Sequence, residues 1–116
     1  GYDWGTLDFE NDYPLSTSHW ERLNALINVD YARQPLREVK PENREMLNGL
    51  DGASWILEVA DSKGYTAADV SNPTTVSQMK EDERRHIESL GFRLEPFIVV
   101  CKYLIQFAPM DPDNIY

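Results

Sequence analysis

The sequence predicts a small α+β domain: an antiparallel sheet packed against a C-terminal helix, with an additional helix near the N-terminus. Three observations predict it. Ser54-Trp55-Ile56-Leu57-Glu58-Val59-Ala60 is rich in aromatic and β-branched residues, and Tyr65 to Val70 can return beside it after a turn at Asp61-Ser62-Lys63-Gly64. Ser18-His19-Trp20-Glu21 has the spacing of a capping box ahead of an apolar helical stripe. Near the end of the chain, Pro96 opens a segment in which Phe97, Val100, Cys101, Leu104 and Phe107 recur at helical spacing.

Taken in order, Tyr2, Trp4, Leu7 and Phe9 alternate with acidic residues and suggest a short strand interrupted at Gly5. The first helix is expected over residues 18 to 28, with Ser18 and Glu21 capping it and Trp20, Leu23, Leu26 and Ile27 on its apolar side. Pro35, Pro41 and Asn48-Gly49 punctuate the next stretch, which reads as a long connection with a short strand at Leu36 to Lys40. A connection of that length in a small domain is unusual and points to a further element within it.

The hairpin then follows, with Gly64 free to take the positive φ that tight hairpin loops require. Its alternation turns Trp55, Leu57 and Val59 inward and Ile56, Glu58 and Ala60 outward. A lone two-stranded ribbon is marginal, so a third strand is expected from the first ten residues, from Leu36 to Lys40, or from sequence outside this chain. Asn72-Pro73 ends the second strand, and Asp82 to Leu90 reads as a charged surface helix stopped at Gly91. The last helix, about Glu95 to Ala108, is expected to cover the sheet, with Lys102 and Gln106 on its wetter side and a loose tail from Pro109 to Tyr116.

The 116 residues read as a single domain, 1-116, with 41% apolar and 27% charged residues, the composition of an ordinary folded domain. The leading Gly1 is a common remnant of a cleaved tag, which leaves room for natural sequence upstream. Twenty acidic against eleven basic residues give a formal charge of -9, a field that repels phosphate backbones and steers basic proteins inward. Nucleic acid is therefore disfavoured as a partner, and no apolar run is long enough for a transmembrane helix.

Phosphate loops, dinucleotide-binding glycine fingerprints, zinc-protease helices and serine nucleophile elbows are absent, and no cofactor is implied. Cys101 reads as a small buried hydrophobe, and one cysteine excludes both an internal disulfide and a multi-cysteine metal cage. Trp55 reads as core in preference to a stacking platform. Two functional readings are open. The first is a non-enzymatic interaction domain, inhibitor-like or immunity-like, whose acidic surface near the hairpin, built from Asp51, Asp61, Tyr65 and Asp69, meets a basic protein. The second is a small hydrolase or metal-dependent enzyme in which Asp51 and Glu58 meet His19 or His86, against which both histidines and Glu58 read as solvated residues.

Leu50-Asp51-Gly52-Ala53-Ser54-Trp55-Ile56-Leu57-Glu58, followed by Gly64-Tyr65, Asn72-Pro73, Cys101 and Tyr103-Leu104, resembles a pattern in a group of small uncharacterised bacterial proteins. The group carries a Leu-Asp-Gly lead into a Trp-Ile-Leu-Glu strand, a Gly-Tyr hairpin return, an Asn-Pro or Ser-Pro exit and a final apolar helix. At Ala67 to Ser71 this chain departs from it, since the group has a longer strand with an aromatic before the proline. Some members look like envelope lipoproteins, so the resemblance implies a bacterial cell-envelope setting. It implies no activity and no site residue.

Overall fold

A computed structural model of the chain describes residues 14–47 and 53–107. The expected strand between Tyr2 and Phe9, the acidic candidate Asp51 and the tail from Pro109 lie outside these residues. Within them the order is helix α1 (Thr17–Ile27), strands β1 (Ser54–Asp61) and β2 (Gly64–Ser71), and helices α2 (Glu81–Ser89) and α3 (Glu95–Ile105). The architecture is α+β, and the N-terminal helix, antiparallel sheet and C-terminal helix occur in the expected order.

Helix α1 starts earlier than the capping box places it. Ser16, not Ser18, is the N-cap: its side chain accepts from the His19 N–H at 3.2 Å, and its carbonyl accepts from Trp20 N–H at 2.9 Å. Leu15, immediately before the cap, packs against the core and fixes where the chain turns into the helix. Leu23 and Ile27 are buried as the stripe requires, whereas Trp20 is 51% exposed. The reason lies in the partner of the first turn. The end of α3 approaches on the His19 side, where the Tyr103 hydroxyl donates to the His19 carbonyl at 3.3 Å and Phe107 meets the His19 ring edge-on at 5.1 Å. Trp20 lies about 100° further around the helix.

Among its described residues, 28–47, the connection after α1 contains no strand. Leu36 to Lys40 forms turns, with Arg37 N–H bonded to the Gln34 carbonyl and Val39 N–H to that of Leu36, followed by a short 3₁₀ segment at Pro41–Asn43. Pro35, with its φ fixed, occupies the second position of the Gln34–Arg37 turn, which favours a bend over an extended run. These i to i+3 bonds satisfy the backbone locally, and so the loop can bury Ala32, Pro35, Val39 and Leu47.

β1 and β2 pair antiparallel in unbroken register from Ser54↔Ser71 to Asp61↔Gly64, around a two-residue loop at Ser62 and Lys63. Gly64 has φ +126°, so its missing Cβ is required there. Trp55 faces Val70 and Leu57 faces Ala68 across the inner side, and all four are buried. Among the described residues the sheet has only these two strands.

Asn72 ends β2 in a left-handed conformation, φ 53°, which asparagine tolerates better than most residues. It is 4% exposed, and its side-chain amide donates to the Leu47 carbonyl at 2.7 Å while its backbone N–H donates to Ala53 at 2.9 Å. This one residue ties the hairpin base to the long connection. Helix α2 opens with Glu81, Asp82 and Glu83, charges suited to a helix N-terminus, and buries Ile87. Gly91 follows at φ +104°, and a Cβ there would lie 2.6 Å from the Glu38 carbonyl oxygen. Arg93 N–H donates to the Pro35 carbonyl at 3.0 Å in the same seam.

One core joins these pieces. Leu23 and Ile27 from α1, Trp55, Leu57 and Val70 from the hairpin, Ile87 from α2, and Phe97, Val100 and Cys101 from α3 belong to a single buried cluster. Val59 and Leu104 are partly buried against it. Helix α3 reaches the sheet through this shared core and finds its principal helix neighbour in α1.

Candidate functional site

The inner face of the hairpin is core, so its outer face is what the chain offers to solvent. Strand alternation places Ser54, Ile56, Glu58 and Ala60 of β1 beside Ser71, Asp69, Ala67 and Tyr65 of β2 on that side. Ile56 and Tyr65 are each 63% exposed; the exposed Asp69 lies opposite Ile56, and the exposed Glu58 lies on the rung between Ile56 and Tyr65. This face carries two carboxylates, an aliphatic and an aromatic side chain, and no lysine or arginine.

Of the acidic candidates, the structure brings Tyr65 and Asp69 to this face and sends Asp61 elsewhere. Asp61 has the inward parity of Trp55 and Leu57, and its carboxylate meets Arg33 at 2.7 Å with side-chain exposures of 27% and 16%. The Arg33 guanidinium, helped by the Lys63 backbone amide at 2.9 Å, holds the Asp61 carboxyl below the usual carboxylate range. Arg33 also donates to the Ile27 carbonyl at 3.2 Å, so the pair fastens the hairpin tip to the end of α1. Asp69 pairs with Ile56, five positions up β1 from Asp61, which separates the two acids by about 17 Å along the strand.

A cavity of about 330 Å³ lies beneath the tip, between Lys63 to Thr66 and the Ile27 to Arg37 segment. Of its charged side chains, Arg33 is held by Asp61, and Arg37 and Asp30 pair with each other. Arg37 meets Asp30 at 3.2 Å and Glu38 at 3.5 Å and lies 4.4 Å over the ring of Tyr31, itself held at φ 68°. Tyr31 and Asp30 raise the already high pKa of Arg37.

A larger groove, about 550 Å³, runs along β2 itself. Ala67 to Ser71 form one wall, Gln34 to Arg37 with Arg44 form the other, and the almost fully buried Leu47 and Phe92 lie at its floor. Arg44 makes a long contact, 3.4 Å, to the Val39 carbonyl, and no acidic partner is recorded for it among the described residues. These arginines belong to the long connection between α1 and β1. The available signal was charge: Arg33, Arg37, Lys40 and Arg44 place four of the eleven basic residues in one short stretch of an acidic chain.

The described residues of the enzymatic reading, Glu58, His19 and His86, do not converge. Glu58 is exposed on the outer sheet face, His19 stacks edge-on with Phe107 at the far end of α3, and His86 lies exposed on α2. No hydrogen bond joins any two of them among the described residues, and no three His, Cys, Asp or Glu side chains there are grouped to hold a metal ion. Cys101 is buried, and desolvation pushes its thiol pKa up to about 12. A thiol so disfavoured as thiolate is a poor nucleophile.

Comparison of the chain with known protein families, with characterised proteins and with solved structures finds no match.

Proposed function

We propose that this chain is a non-enzymatic binding domain, inhibitor-like or immunity-like, that engages a basic protein through the outer face of its hairpin. The observation that carries the reading is that Ile56 and Tyr65, large side chains 63% exposed, share with Glu58 and Asp69 a face that has no cation. An aromatic and an aliphatic anchor supply desolvation on contact, while the carboxylates and the overall charge of -9 steer the approach of a positive surface. Asp61, spent on Arg33, is a structural member and not part of this surface.

The test uses affinity capture with the full chain at low salt, followed by association kinetics with the purified partner. Asp69→Lys should slow association and flatten its dependence on salt, because steering by an exposed carboxylate is screened within a Debye length of about 8 Å at physiological ionic strength. Tyr65→Ala should raise the dissociation rate at every salt concentration. Unchanged rates for both variants would reject this face.

A further inference from the structure

We infer that the groove along the free edge of β2 binds an extended segment of a partner protein as an added third strand, an inference that rests on reading the chain as a binding domain.

The hydrogen-bond parity of the hairpin identifies which backbone groups are free. A two-residue loop makes Asp61↔Gly64 a hydrogen-bonded pair, so Thr66, Ala68 and Val70 bond to β1. The bond from Asn72 N–H to the Ala53 carbonyl, 2.9 Å, continues that alternation beyond the strand. Tyr65, Ala67 and Asp69 therefore turn their N–H and C=O groups away from β1, and no backbone partner is recorded for these groups among the described residues. Ala67 and Asp69 are exposed, and among the described residues no strand pairs with this edge.

An open edge alone is a liability common to sheet proteins. Here the edge is one wall of a groove of about 550 Å³, within the range of pockets that take small ligands or short chain segments. Its side chains describe the occupant. Ala67, small and exposed on the edge, leaves room for a strand's side chains, and the almost fully buried Leu47 and Phe92 make the floor of the groove apolar. Arg44 across the groove calls for a carboxylate, and Asp69 on the outer face calls for a cation. A strand alternates its side chains between two faces, so one segment answers both: basic residues toward the outer face, and apolar residues with one acid toward the groove. A second copy of the chain fits less well, because each copy carries a formal charge of -9.

The probe is a display library of short random peptides selected on the immobilised full chain, with enriched peptides measured by fluorescence anisotropy. Enriched peptides should show the alternating pattern and slow the hydrogen exchange of the Ala67 and Asp69 amides. Ala67→Pro removes an outward donor while leaving the β1 ladder bonded, and should weaken binding about tenfold. Arg44→Gln should weaken acid-bearing peptides similarly and leave their amide counterparts unaffected. The inference is overturned if no peptide is enriched, or if both variants bind with unchanged affinity. A dimer in sedimentation that Ala67→Pro dissolves would assign the edge to a second copy and also overturn it. If partner binding is lost in Asp69→Lys but retained in Ala67→Pro and Arg44→Gln, the outer face stands as the interface and the groove does not.

Discussion

Asp61 shows how one side chain changes meaning when its neighbours are known. In sequence it belongs to a series of acidic residues around a turn, whereas in space it is the anchor of Arg33. Its carboxyl pKa is lowered on folding, first by the Arg33 side chain and then by the Lys63 amide. The unfolded chain therefore takes up the proton first as pH falls, and the stability from this group is present above its ordinary pKa of about 3.9 and is lost below it. Asp61→Asn should lower the melting temperature at pH 7, and the gap from the unaltered protein should close as pH falls from about 4 through the lower folded value. A gap that persists undiminished in acid would show that the ion pair is not its source.

The hairpin is the element at which local chemistry and tertiary need coincide most closely. Its strand propensities, turn residues and alternation all point to one register, and the buried pairs Trp55/Val70 and Leu57/Ala68 lock it, because a one-residue slip would bring the outward Glu58 and Asp69 to the core side. Native-state hydrogen exchange should protect Thr66, Ala68 and Val70 while Tyr65, Ala67 and Asp69 exchange rapidly in the unliganded protein. Uniform protection along β2 would mean that its outer edge is covered. For α3 the apolar spacing indicates a helix, and its burial is graded: Phe97 and Val100 are fully buried, while Leu104 is only partly covered. Phe97→Ala should cost about 3–5 kcal/mol in chemical denaturation, and Leu104→Ala about 2 kcal/mol, since the partly covered site leaves a smaller cavity. Equal losses would contradict that gradient.

At the scale of the molecule, the acidic balance acts through solubility and association. With a pI near 4.5, the chain should scatter light most strongly around that pH and remain clear at pH 7, where its formal charge is -9. A scattering maximum far from pH 4.5 would show that local patches, not net charge, govern self-association. The same balance disguises a local exception. The stretch holding Arg33, Arg37 and Arg44 folds back on the hairpin, so an acidic molecule presents an arginine-walled groove beside a carboxylate-bearing face.

What the sequence determined by itself was carried by short-range physics: the hairpin and its facing residues, the helical character of the last segment and the stop at Gly91. In each case turn chemistry, side-chain period and backbone sterics act within a few residues, and packing reinforces the same answer. Where local choices were nearly equal, the tertiary structure decided. Leu15 against the core settled Ser16 over Ser18 as the cap, and the approach of α3 on the His19 side left Trp20 in solvent. Turn hydrogen bonds and burial of Pro35, Val39 and Leu47 converted Leu36 to Lys40 from an expected strand into a packed series of bends. The site depended even more on distance. Asp61 and Arg33 meet, and Arg44 comes to face β2, only after the connection is folded against the hairpin, because an ion pair or a groove between distant segments leaves no periodic signature along the chain.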